Sequence, residues 1–212
     1  MAGCGIHNDH HKDSEHDGIH RFYLEEGAKV KYIEKHYGEG NGDGKRILNP
    51  VTEVYLKDGS SLEMESVQIK GVSSTIRETK GILSQNTNFV VTEKIMTDGK
   101  QYAKTIFDVQ LNGENSSTHV TSRSVATEDS KQEFVSKIYG NEKCFAHREC
   151  DAIIKDNAIV TATPEITANN VEANLIHEAA IGKIAGEQLI KLMTLGLSEK
   201  EAEEEIINGF LR

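Results

Sequence analysis

A Cys-Asp pair, Cys150-Asp151, is followed 27 positions later by a His-Glu pair, His177-Glu178. A soft thiolate, an imidazole and two carboxylates form a mixed donor set that suits iron or an iron–sulfur cluster better than an all-oxygen site would. Their separation is close to one turn of a solenoid, whose neighbouring rungs lie roughly 4.8 Å apart. At that step Cys150 stacks near His177 and Asp151 near Glu178. Side chains on a strand alternate between faces, so one member of each pair points into the coil and the other out of it. All four cannot share one site. The competing reading is that Cys150 fills the core as a small hydrophobe and His177 makes ordinary hydrogen bonds. Spacing alone leaves both open.

Other metal-seeking groups are weaker. His7, His10, His11, His16 and His20 lie among acidic residues in a polar lead over positions 1–20. Spacings of three to five could gather imidazoles on a helical face, with His7, His10 and His11 as the candidates. The composition, low in apolar residues and rich in charge, instead predicts a solvated, flexible tail. Cys144 and His147 form a Cys-x-x-His step whose side chains fall on opposite faces of a strand, so the pairing reads as incidental. Glu203-Glu204-Glu205 is the wet face of a helix. The glycine-rich stretch 38–44 lacks the Lys-Ser/Thr ending of a phosphate-cradling loop and reads as a turn.

Around these residues the chain reads as short strands. Thr52, Val54 and Leu56 alternate with polar neighbours, as do Leu62 and Met64. So do Ala103, Thr105, Phe107, Val109 and Leu111, and His119, Thr121 and Arg123 face away from Val120, Ser122 and Ser124. Asp-Gly or Asn-Gly corners stand at 43–44, 58–59, 98–99 and 112–113. Such corners serve a hairpin sheet and a stack of parallel coils equally, with a slight lean to coils. Two helices close the chain. Leu189, Leu192 and Met193 mark one face of the first, which stops at Gly196. Ser198 with Glu201 is a capping box for the second, whose stripe is Ala202, Ile206 and Phe210. Two short helices cannot bury these stripes against each other, so apolar surface is left for the β body or a partner.

Composition narrows the function. The 212 residues are 37% hydrophobic, contain no Trp and carry a formal charge of −10. A lean core suits an elongated fold. The charge argues against a nucleic-acid backbone as ligand. No run of eighteen apolar residues predicts a membrane span. Three cysteines, Cys4, Cys144 and Cys150, are not a disulfide framework. With no visible export segment, a reducing cytoplasm is the expected compartment.

The blocks Ala146-His147-Arg148-Glu149-Cys150-Asp151-Ala152-Ile153-Ile154, Ala162-Thr163-Pro164-Glu165-Ile166 and Leu175-Ile176-His177-Glu178-Ala179-Ala180-Ile181-Gly182-Lys183-Ile184 follow in order. Glu187-Gln188-Leu189, Gly196-Leu197-Ser198-Glu199 and Ile206-Ile207-Asn208-Gly209-Phe210 come after them. Over these seventy or so residues the chain resembles the SufB/SufD family, scaffold subunits of the SUF iron–sulfur cluster assembly system. Residues 30–140 share only the family's β-rich character, and family members carry a further N-terminal region. The resemblance implies a right-handed parallel β-helix over 21–184 and a C-terminal helical segment over 185–212. It also implies a non-catalytic scaffold that pairs through its β-helix, with itself or a sister subunit. The helices, through Leu189, Leu192, Met193, Ile206 and Phe210, would dock a SufC-type ABC ATPase, which would bind the nucleotide. His177 and Glu178 are carried over as ligands of a transient iron–sulfur cluster or iron, with Cys150 as the nearby soft ligand. His177-Glu178-Ala179 is SufB-like. Ala158, standing where SufB-type chains have a further cysteine, is SufD-like. A metal carrier using the His-rich lead is the alternative. A carbohydrate-active β-helix enzyme is a more distant one, since sugar stacking needs aromatic rings and this chain is 6% aromatic.

Overall fold

The computed structural model describes residues 13–37, 45–69 and 71–212. Parallel strands wind as a β-solenoid, deciding between the two architectures that the corners permit. One wall is a six-stranded parallel sheet of β3 (Lys29–Tyr37), β6 (Ser61–Ile69), β8 (Asn88–Thr97), β10 (Ser116–Ala126), β12 (Cys144–Ile154) and β14 (Asn174–Gly182). The other comprises β1 (Ser14–His16), β2 (Ile19–Leu24), β4 (Arg46–Leu48), β5 (Val51–Leu56), β7 (Ser74–Leu83), β9 (Tyr102–Leu111), β11 (Lys131–Gly140) and β13 (Ile159–Ala168). Among the described residues pairing begins with Ser14, inside the lead over 1–20 that the sequence assigns to a flexible tail. The strand phase explains it: Phe22 and Leu24 pair with Val54 and Leu56 and extend the coil. His7, His10 and His11 lie outside the described residues, as does the corner at 43–44.

Period-two patterning sets the wall of the coil. Along β9, Ala103, Thr105, Phe107, Val109 and Leu111 are all buried. The same phase buries Thr52, Val54 and Leu56, then Leu62 and Met64. Inward residues of the two walls meet across the lumen: Phe89 on β8 and Phe107 on β9 lie with ring centroids 5.9 Å apart. One core cluster runs from Leu24 to Ala146, and a smaller one holds Ile95, Ala103, Phe134 and Cys150. Between them the inward positions are polar: Ser66, Glu93, Ser122, Ser124, Thr79 and Thr105 are buried.

Corners are held by side-chain amides stacked along the axis. Asn141 Nδ2 donates to Asn112 Oδ1 at 2.6 Å, and Asn169 Nδ2 donates to Asn141 Oδ1 at 2.7 Å. Gly113 is required by close approach, since a Cβ there would stand 2.1 Å from the Gln85 backbone nitrogen. Pro164, which has no N–H for a ladder, lies in β13, whose only strand partner among the described residues is β11. At the end of the coil β13 and β14 are each paired on one side, and their residues are half-buried or exposed.

Helices α1 (Gly186–Thr194) and α2 (Glu199–Phe210) follow. Ser198 and Glu201 form the expected reciprocal cap, and Gly196 adopts a φ of 98°. Ala202 is fully buried. Lys155 Nζ reaches Glu203 Oε2 at 2.5 Å and Lys94 Nζ donates to the Arg212 carbonyl at 2.7 Å, tying the C-terminal helical segment to the outer side of the six-stranded wall. No helix among the described residues is long and apolar enough to cross a membrane.

Candidate functional site at the open end of the coil

β12 and β14 position the candidate ligands. The register step between them is 29 residues, not the 27 that the motif spacing suggests: Arg148 pairs with His177, Glu149 with Glu178 and Cys150 with Ala179. Cys150 therefore does not stack directly on His177. Both nonetheless face inward, two positions out of register, because 27 and 29 share parity. Asp151 and Glu178 face outward together. The three candidates Cys150, His177 and Glu178 are thus split by the strand, two inside and one outside. Among the described residues no three His, Cys, Asp or Glu side chains are arranged to hold a metal ion.

Cys150 is 2% exposed, and burial pushes its thiol up, with the Arg148 charge working in the opposite direction. His177 is half-buried. Its ring is held below the ordinary imidazole value, first by burial and then by Arg148. A neutral imidazole keeps a lone pair for a metal. His177 Nε2 is a buried nitrogen without a hydrogen-bond partner. Glu178 is exposed and accepts from His147 Nε2 at 3.3 Å, and His147 packs edge-on to His119 with centroids 4.7 Å apart. Cys144 and His147 lie on opposite faces of β12, as their spacing implies.

Arg148 is the inner neighbour that sequence reasoning passes over. It is fully buried and crosses the lumen. Nε donates to Ser136 Oγ on β11 at 3.1 Å, and Nη1 to Ser122 Oγ on β10 at 2.7 Å. Ser122 donates to Glu93 Oε2 at 2.5 Å. Nη2 lies 3.7 Å from Glu93 Oε2 and makes no hydrogen bond. The guanidinium stands 5.9 Å from the Phe134 ring centroid. The signal was phase: Arg148 keeps step with Ala146 and Cys150, and Glu93 with Val91 and Ile95.

The helix pair divides the expected docking residues. Leu189, Leu192, Ile206 and Phe210 are half-buried, Leu189 lining a groove with Ile154 and Ile184. Met193 is exposed, together with Ile190 and Leu195. The helix surface that remains apolar and uncovered is therefore centred one position away from the stripe that periodicity marks.

Comparison with known proteins follows the same line. A sequence model described as "SUF system FeS cluster assembly, SufBD core domain" matches residues 71–210. An iron–sulfur cluster assembly SufBD family protein of Methanocaldococcus jannaschii is 32% identical over 186 residues, covering 87% of this chain and 58% of the relative. One from Methanothermobacter thermautotrophicus is 27% identical over 214 residues, covering 100% of this chain and 51% of the relative. The SufB protein of Bacillus subtilis is 35% identical over 103 residues, 46% of this chain and 22% of its own length. The chain spans about half to six-tenths of the archaeal relatives' length. By the family match across both the coil's later rungs and the helix pair, this chain belongs to the SufBD family of iron–sulfur cluster assembly proteins.

Proposed function

We propose that the chain is a scaffold subunit of iron–sulfur cluster assembly. It pairs through the coil with a second scaffold subunit and receives a SufC-type ATPase on its C-terminal helices. The observation that carries this reading is the open end of the coil, where Cys150 on β12 and His177 on β14 share the inner face beside two strands paired on one side only. Cys150 supplies a thiolate and His177 a neutral imidazole to the cluster, which is cargo. One chain offers too few converging donors to complete the coordination, so a second subunit's groups supply the rest. Glu178 faces outward with His147 and lies apart from this inward pair.

Unpaired strand edges favour strand-to-strand association, and exposed Ile190, Met193 and Leu195 favour an apolar partner. Catalysis by this chain is not needed, since the nucleotide chemistry belongs to the ATPase. Anaerobic reconstitution with iron and sulfide, read by absorbance, tests the site. Wild type should hold a chromophore that Cys150→Ala and His177→Ala lose. Equal loading of all three proteins would sink the ligand assignment. In a pull-down with the ATPase, Met193→Asp and Leu195→Asp should abolish capture while leaving the β-type circular dichroism unchanged, and retained capture would count against helix docking.

A further inference from the structure

Arg148 and Glu93 are both buried, and their order along the coil gives the pair a direction. Glu93 stands on β8, Arg148 on β12 and His177 on β14. The carboxylate is therefore deeper in the rod, and the guanidinium is the charge next to His177 and two residues from Cys150. Two buried nitrogens at this place, Arg148 Nη2 and His177 Nε2, make no hydrogen bond, which leaves both with capacity for a guest. In a low-dielectric interior, the nearest charge dominates what that guest can be. A bare divalent cation concentrates its charge beside the guanidinium. Iron joined to sulfide spreads its charge and presents sulfur acceptors to the free Nη2 donor.

We propose that Arg148 is a specificity-determining residue: it disfavours a bare divalent cation at Cys150 and His177 and favours sulfide-bearing iron. The proposal rests on the reading that Cys150 and His177 hold the cargo. Hydrogen bonding to Ser122 and Ser136 fixes the guanidinium in place, and Glu93 moderates its charge.

The test uses the full chain under anaerobic conditions with two probes, zinc alone and ferrous iron with sulfide. Zinc binding is counted as the part lost in Cys150→Ala, which removes any contribution of the other histidines. Arg148→Met should bind zinc about tenfold more tightly, and it should lose sulfide-bearing iron on desalting. Arg148→Lys should keep the wild-type preference. Glu93→Gln, which leaves the arginine uncompensated, should move the other way and weaken zinc by about the same factor. A purely structural role would instead lower both loadings together in Arg148→Met and Glu93→Gln. An unchanged preference in Arg148→Met, or a Glu93→Gln shift in the same direction, overturns the proposal while leaving the ligand assignment standing. If wild type holds no sulfide-bearing iron, or Cys150→Ala holds as much, the ligand assignment fails and the proposal falls with it. Should circular dichroism find Arg148→Met unfolded, the direction of the Glu93→Gln shift decides.

Discussion

Arg77 and Arg148 enter the lumen from opposite walls on different rungs of the rod, and their surroundings differ. Arg77, on β7, donates through Nη1 to Glu34 Oε2 at 3.0 Å, and Glu34 also accepts a short hydrogen bond from His36. Burial raises the Glu34 carboxyl, but the His36 hydrogen bond and the Arg77 charge outweigh it and bring the carboxyl to about 2. Arg148 makes its hydrogen bonds to two neutral serines and the Glu149 carbonyl, and its carboxylate stands 3.7 Å away. The first arrangement is a hydrogen-bonded ion pair with a histidine added, although Arg77 Nη2, like Arg148 Nη2, is left without a partner. The second has no carboxylate in hydrogen-bond contact and places its spare donor beside a thiol and an imidazole. Similar residues thus serve as a brace on one rung and line the candidate site on another, and the difference lies in which partner is charged and in contact.

The comparison can be broken by experiment. The largest effect is expected from Glu34→Ala, which strands Arg77 in the interior and should cost about 3–5 kcal/mol in chemical unfolding. Glu93→Ala should cost clearly less, and equal losses would erase the distinction. Next comes pH. The Glu34 carboxyl is depressed from 4.5 to about 2 in the folded chain, so its stabilisation is present above pH 4.5 and lost as pH falls toward 2. Its size is on the order of 3 kcal/mol. Acid unfolding of Glu34→Gln should lack this component, and an unaltered pH dependence would contradict the assignment. Ser136→Ala, which removes the acceptor of Arg148 Nε, should cost about 1 kcal/mol. Smallest is Glu178→Gln: its contact with His147 is on the outer surface, so stability should change by less than about 0.5 kcal/mol. A larger loss would show a third ionic device on the outer face.

Much of the coil was legible. Alternation of Ala103 through Leu111 fixed which face is buried, because strand period and hydrophobic burial agree there. The helices were legible from Ser198, Glu201 and Gly196, whose capping chemistry is local. The face shared by Cys150 and His177 followed from parity, but their register did not. Motif spacing counts residues in the corner as well as in the strands, and corner lengths vary between rungs. Glu34, His36, Arg77, Glu93 and Arg148 were missed for a different reason. Polar residues at inward phase are expected to face water, unless partners from distant rungs can be foreseen. The start of pairing at Ser14 was hidden by the charge around it, where Glu15 and His16 nonetheless align with Ile47 and Leu48.

Because each coil touches mainly its neighbours, the rod should respond to mechanical load as a row of separable units. Pulled along its axis in an optical trap, it should peel from the end where β13 and β14 have one neighbour each. One coil holds 29 residues between Arg148 and His177, so each yielding event should lengthen the tether by about 100 Å. A staircase of such steps, rather than one abrupt rupture, is the signature that this architecture writes into a force–extension trace.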